Sequence, residues 1–178
     1  MAELHPDSPY LPERFADPER AVEFPPEVKA RFEKILERYP TRQAALLPTL
    51  HLAQETWGWI SPEVVLYVAG LLDQAPASVF GVVSFYNMYN QKPVGKHHLQ
   101  VCTNLSCMVR DAYGIYEHLC RKLGVHPGEN TADGRFTATE VECLGSCGTA
   151  PVVQINNDYH ENMSVERIDA VLEGLKKV

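Results

Sequence analysis

Apolar positions in the first half of the chain recur at helical spacing. Val28, Phe32, Ile35 and Leu36 fall at i, i+4, i+7 and i+8, one stripe on a helix that ends before Pro40. Thr41 offers a cap for a second helix bearing Leu46, Leu47, Leu50 and Ala53 and stopping near Gly58. Pro48 inside that helix predicts a kink or a break into two helices. Ser61-Pro62-Glu63 combines a capping hydroxyl, a proline at the first helical position and an early acid. It starts a third helix through Val64, Val65, Val68 and Leu72. A fourth begins near Pro76 and carries Val79, Phe80, Val83 and Phe85. The aromatic run Phe85-Tyr86-Asn87-Met88-Tyr89 reads first as packed core or interdomain contact, with a docking surface as the other reading. Residues 27–92 are thus expected to form a small helical bundle.

From Pro93 the period changes. His98 to Val101 is a short apolar strand that delivers Cys102. An amphipathic helix follows with Val109, Ala112, Ile115, Tyr116, Leu119 and Leu123 on one side, and Gly124 as its stop. Phe136 to Glu142 alternates weakly and reads as a second strand, delivering Cys143. Val152 to Ile155 is a third strand, and Asn156-Asn157-Asp158 turns it toward a short fourth around Tyr159. Ser164 caps a final helix bearing Val165, Ile168, Val171, Leu172 and Leu175. The order β-α-β-β-β-α over residues 93–178 predicts a compact domain with helices packed on a sheet.

Ahead of the helices, residues 1–26 hold six of the 13 prolines and a local net charge of -4. Such a segment has little to bury, so it is expected to be a mobile or partner-draped arm. The whole chain of 178 residues carries -7 with histidines neutral, which argues against nucleic acid as a partner. No apolar run approaches the ~20 residues of a bilayer span and no signal-peptide pattern opens the chain, so direct membrane insertion is not expected.

Five cysteines remain. Cys102 and Cys107 are spaced C-x4-C and Cys143 and Cys147 C-x3-C, with 35 residues between the pairs. Each pair directly follows a predicted strand, so two loops at strand ends can converge on one site. The link Leu144-Gly145-Ser146 is short, and glycine lets it bend tightly. Four thiolates in loops rich in backbone N–H groups describe a metal site. A tetrahedral zinc takes four thiolates, although neither pair is a C-x2-C knuckle. A [2Fe–2S] cluster is wider, with one pair on each iron, and the longer bites suit it. An added electron deepens the negative charge of an acidic protein. A low potential follows, nearer the about -400 mV of plant-type ferredoxins than the Rieske range. Cys120, beside Leu119 on the helix, reads as a buried core thiol. The chain has no C-x-x-C dithiol, dinucleotide fingerprint, phosphate loop or H-E-x-x-H helix, and no catalytic residue is nominated. Electron transfer fits better than catalysis.

The stretch Val101-Cys102-Thr103-Asn104-Leu105-Ser106-Cys107-Met108 resembles one cluster loop of the E subunit of bacterial NADH-quinone oxidoreductase. Glu142-Cys143-Leu144-Gly145-Ser146-Cys147-Gly148-Thr149-Ala150-Pro151 resembles the other. This family is the 24 kDa-type [2Fe–2S] subunit of respiratory complex I. Gly58-Trp59-Ile60-Ser61, Gly81 to Tyr86, Lys92 to Lys96 and Val153 to Asn156 with Tyr159 are also similar to it. The resemblance implies an N-terminal helical bundle followed by a thioredoxin-like [2Fe–2S] ferredoxin domain, in the α+β or α/β class. It implies one cluster ligated by Cys102, Cys107, Cys143 and Cys147, in a subunit whose isolated chain carries electrons without a substrate site of its own. It also implies a partner subunit that alone holds FMN and NAD, and a place on the cytoplasmic side, peripheral to the inner face of the plasma membrane. Similar chains serve NAD-linked formate dehydrogenases and NAD-reducing hydrogenases. A zinc-stapled interaction module and a free-standing ferredoxin are the remaining readings.

Overall fold

The computed structural model describes residues 22–176. Residues 1–21 of the expected arm therefore lie outside the described residues. The chain divides into two compact units, Met1–Pro93 and Val94–Val178.

The first unit is helical: α1 (Pro26–Glu37), α2 (Leu46–Trp57), α3 (Pro62–Leu72) and α4 (Pro76–Phe85). Ser61 caps α3 as its sequence predicts, its hydroxyl accepting from Val64 N–H at 3.4 Å, with Pro62 at the first position. Pro48 produces neither a kink nor a mid-helix break. A 3-10 turn over Gln43–Ala45 precedes α2, so Pro48 falls in the first turn, where a missing N–H breaks no helical bond. Thr41 caps that turn instead, accepting from Ala44 N–H at 3.1 Å. Leu50, Leu52, Val64, Val65, Val68, Leu72, Val79 and Val83 are all but fully buried between the helices. Each contributes ~1.5–3 kcal/mol relative to exposure. The aromatic run at the end of α4 splits. Tyr89 is buried, with its hydroxyl donating to Leu47 O at 2.9 Å, whereas Phe85 is 79% exposed. Phe85 falls on the face of α4 opposite Val79 and Val83. Phe24, assigned by its sequence to the arm, is buried against Trp57 with ring centroids 5.0 Å apart and planes at 6°. Tyr67 meets the same ring edge-on at 5.2 Å, and its hydroxyl accepts from Phe24 N–H.

The second unit is a four-stranded mixed sheet with helices packed on it. The strands are β1 (His97–Cys102), β2 (Phe136–Val141), β3 (Val153–Ile155) and β4 (Asp158–His160), in the spatial order β2-β1-β3-β4. β1 and β2 are parallel and joined through helices; β3 runs antiparallel to β1, and β4 to β3. The hairpin between β3 and β4 turns at Asn156, whose φ of 54° suits an asparagine. Helix α6 (Ala112–Leu123) packs on β1, β2 and α7 (Val165–Leu175). Leu99, Val101, Leu119, Ala138, Val153, Ile168 and Leu172 form the centre of this core. The sequence predicts one helix between β1 and β2, but there are two. Residues Leu105–Val109 form the short α5, and the chain breaks at Asp111, whose φ is 66°. Gly114 makes room for that break, since a Cβ there would come within 2.5 Å of the Asp111 carboxylate.

Leu119→Ala is expected to lower stability by about 2–5 kcal/mol in chemical denaturation, while exposed Leu105→Ala changes it by about 0.5 kcal/mol or less. A second expectation concerns acid. Burial pushes the His98 ring down to about 4, with its Nε2 2.7 Å from Thr139 Oγ1. An unfolded histidine titrates near 6.5. The folded chain thus favours the neutral ring, and this contribution is complete above about pH 6.5 and lost as pH falls toward about 4. His98→Gln should flatten that limb of a stability curve measured by urea denaturation across the window.

Candidate metal centre

The register of the two parallel strands brings the cysteines together. Cys102, the last residue of β1, lies opposite Val141, the last residue of β2, and Cys143 follows two residues later. Both loops therefore leave the same edge of the sheet, at the carboxyl ends of neighbouring parallel strands. That edge is the general ligand-binding position of open sheets with parallel strands. Cys107 comes back to it as the third residue of α5, whose start is capped by Asn104 accepting from Leu105 N–H at 2.9 Å. Cys147 opens a single 3-10 turn, Cys147–Thr149, after the left-handed Gly145 with φ of 81° has reversed the chain. The Ala150–Pro151 peptide that follows is cis.

The four thiols stand as two pairs. Cys107 and Cys102 are hydrogen-bonded to each other and buried. Cys143 and Cys147 are exposed, with Sγ atoms 3.5 Å apart. The Gly145 N–H donates to Cys143 Sγ at 3.4 Å, while the Val152 backbone beside Cys107 and the Ser106 side chain beside Cys147 each favour the thiolate. Burial, then the bond to Cys102, pushes the Cys107 thiol up to about 11. The bond to Cys143 raises Cys147 as well. Bringing these sulfurs to the thiolate form takes a positive charge at the site, because thiolates this close repel one another.

Among the described residues no three His, Cys, Asp or Glu side chains close on a point that would hold one ion. Two pairs of thiols, one from each loop, can serve a centre with two metals, one pair to each. The donor set, four soft sulfurs with polar backbone and hydroxyl groups beside them, fits an iron–sulfur cluster. Two histidines are engaged elsewhere: His98 bonds Thr139, and His118 bonds Asp169 at 2.8 Å. Cys120 lies in α6, buried in the core and hydrogen-bonded to Tyr116.

Sequence spacing does not reveal the contacts that tie the loops down. Asn104 Nδ2 donates to Glu142 Oε2 at 2.9 Å, linking one cysteine loop to the other. Tyr159 Oη donates to Leu144 O at 2.9 Å, and the Asn162 N–H to Thr149 O at 2.7 Å. Around Cys107 the surface is apolar, with Leu105 67%, Met108 44% and Val109 75% exposed.

The family model of thioredoxin-like [2Fe–2S] ferredoxins matches residues 32–176. Subunit 2 of the NADH-quinone oxidoreductase of Thermus thermophilus is 45% identical over 147 residues, covering 81% of this chain and 81% of that protein. The corresponding E-type subunit of the Rickettsia bellii NADH-quinone oxidoreductase is 42% identical over 147 residues, covering 81% and 88%. Among solved structures, an air-oxidised NAD+-reducing [NiFe]-hydrogenase aligns with a TM-score of 0.64 at 23% identity. This chain spans 23% of the length of that one, with 74% of its own length aligned, and the likeness is one of fold. The chain belongs to the thioredoxin-like [2Fe–2S] ferredoxin family.

In the metal-free chain the two exposed thiols should react first. Iodoacetamide labelling followed by mass spectrometry is expected to modify Cys143 and Cys147 well before Cys107 and Cys120. Equal rates at all five positions would contradict this division of burial.

Proposed function

We propose that the chain is the electron-carrying subunit of the NADH-oxidising module of an NADH-quinone oxidoreductase, holding one [2Fe–2S] cluster on Cys102, Cys107, Cys143 and Cys147. The carrying observation is the convergence of two thiol pairs at the carboxyl ends of β1 and β2. The names of the relatives at 42–45% identity support the complex it serves. A [2Fe–2S] cluster bound there takes up and returns one electron at a time.

The rest is the work of this chain's own residues. Four thiolates hold the cluster, and the Gly145 N–H, the Val152 backbone and the Ser106 side chain offset their negative charge. The buried pair, Cys102 and Cys107, shields one side from water. Leu105, Met108 and Val109 offer an apolar skirt beside Cys107 for a partner surface, which shortens the path an electron must cross. We assign FMN and the NADH site to that partner, because no phosphate-binding motif occurs on this chain. No helix among the described residues is long and apolar enough to cross a membrane. This suits a subunit held at the cytoplasmic face of the plasma membrane through its complex. The same role in an NAD-linked hydrogenase or formate dehydrogenase is the second reading, favoured by the fold likeness to the hydrogenase. Co-purification of the chain from its own cells distinguishes the two by the quinone-reducing or hydrogen- or formate-oxidising subunits that come with it.

Iron and acid-labile sulfide analysis of the purified chain should give two of each per chain, with a [2Fe–2S] EPR signal on strong reduction. Cys102→Ala and Cys143→Ala should each lose the cluster, and Cys120→Ala should keep it. A colourless chain holding one zinc would overturn the electron-transfer reading, and an intact visible spectrum in Cys102→Ala would overturn the ligand set.

A further inference from the structure

In the loop that carries Cys143 and Cys147 both thiols are exposed, and Leu144 between them packs against the core. Apart from the Asn104–Glu142 bond at its start, the polar contacts that hold the loop come from β4 and the residues after it. Tyr159 Oη holds the Leu144 carbonyl, the Asn162 N–H holds the Thr149 carbonyl at 2.7 Å, and the Met163 N–H holds the Pro151 carbonyl at 2.9 Å. Between these main-chain contacts sits the one carboxylate of the group. Glu161 Oε1 accepts from Ser146 Oγ and, at 2.7 Å, from Thr149 Oγ1. The two hydroxyl oxygens are themselves 2.7 Å apart. Each hydroxyl has a single proton to give, and the carboxylate brings none, so it can take both. Ser146 and Thr149 flank Cys147 on its two sides in sequence. A group that fixes both hydroxyls therefore fixes where the Cys147 sulfur points. Those same two bonds hold the Glu161 carboxyl below the usual range, Ser146 contributing most.

We propose that Glu161 is a positioning residue that braces the Cys143–Cys147 loop from outside, through Ser146 and Thr149. This deepens the functional reading above and rests on it for the identity of the centre. Glutamine can keep the brace, because one amide oxygen accepts both hydroxyls. Alanine cannot.

The test uses the full-length chain with Glu161→Ala and Glu161→Gln, in two states. In the metal-free chain, hydrogen exchange of the amides from residue 144 to 149 should be roughly thirtyfold faster in Glu161→Ala, as two lost bonds of about 1 kcal/mol each imply. Exchange in β1 and α6 should be unchanged. In the chain reconstituted with iron and sulfide, loss of iron to a chelator should speed up by a similar factor and the EPR lines should broaden. Glu161→Gln should match the parent in every readout. An alanine variant as slow as the parent, or a glutamine variant as fast as the alanine one, overturns the proposal. If the parent chain binds zinc and no sulfide, the functional reading falls, and exchange in the metal-free chain still decides for or against the brace.

Discussion

The parallel register of β1 and β2 is the constraint on which the centre depends. Because Cys102 stands opposite Val141, the loops after both strands begin at the same height on the same edge. A slip of one residue would turn every side chain of β2 to the other face, and Cys143 would leave from the wrong position. That register is held from both sides. On β2, Phe136 and Ala138 sit in the core beneath α6, and on the other side of β1 the antiparallel β3 fixes Leu99 against Ile155. The core of the second unit thus aligns two loops, and the hydrophobic energy that stabilises the sheet also sets the distance between the thiol pairs.

The two pairs are secured by different means. Cys102 and Cys107 are part of the core, so packing and the Asn104 cap of α5 position them. Cys143 and Cys147 are exposed, in a loop that accepts hydrogen bonds from Tyr159 and Asn162 and donates two to Glu161. A packed pair resists displacement by steric exclusion, whereas a hydrogen-bonded pair can give and return. The exposed apolar residues Leu105, Met108 and Val109 lie beside Cys107, on the side of the packed pair.

Much of this is legible from residue types and spacing. The start of α3 can be read from Ser61-Pro62-Glu63, the strands from their apolar runs, and the approach of the two cysteine loops from the fact that each follows a strand. The family resemblance is carried by those same two loops, and the match over residues 32–176 bears it out. The departures share one physical cause, that local pattern does not encode through-space geometry. The α5–α6 break depends on Asp111 taking a left-handed conformation, which glycine usually signals and an aspartate does not. Pro48 misleads because the start of α2 is set by burial of Ala45 and Leu46, which moves the proline into the first turn. Phe85 and Tyr89 share an aromatic run, yet α4 ends between them and sends one to solvent and the other inward. Glu161 is 14 residues beyond Cys147 and carries no spacing signature at all.

Phe24 has a practical side. It lies two residues before α1, in a stretch that composition assigns to an acidic, proline-rich arm, yet its ring is stacked on Trp57 and met by Tyr67. The helical unit therefore begins at an aromatic plug, ahead of its first turn of helix. A truncation or fusion junction drawn at Pro26, where the helix starts, would uncork that socket and leave two large rings facing water. Placed ahead of Val22, the same junction would leave the plug seated.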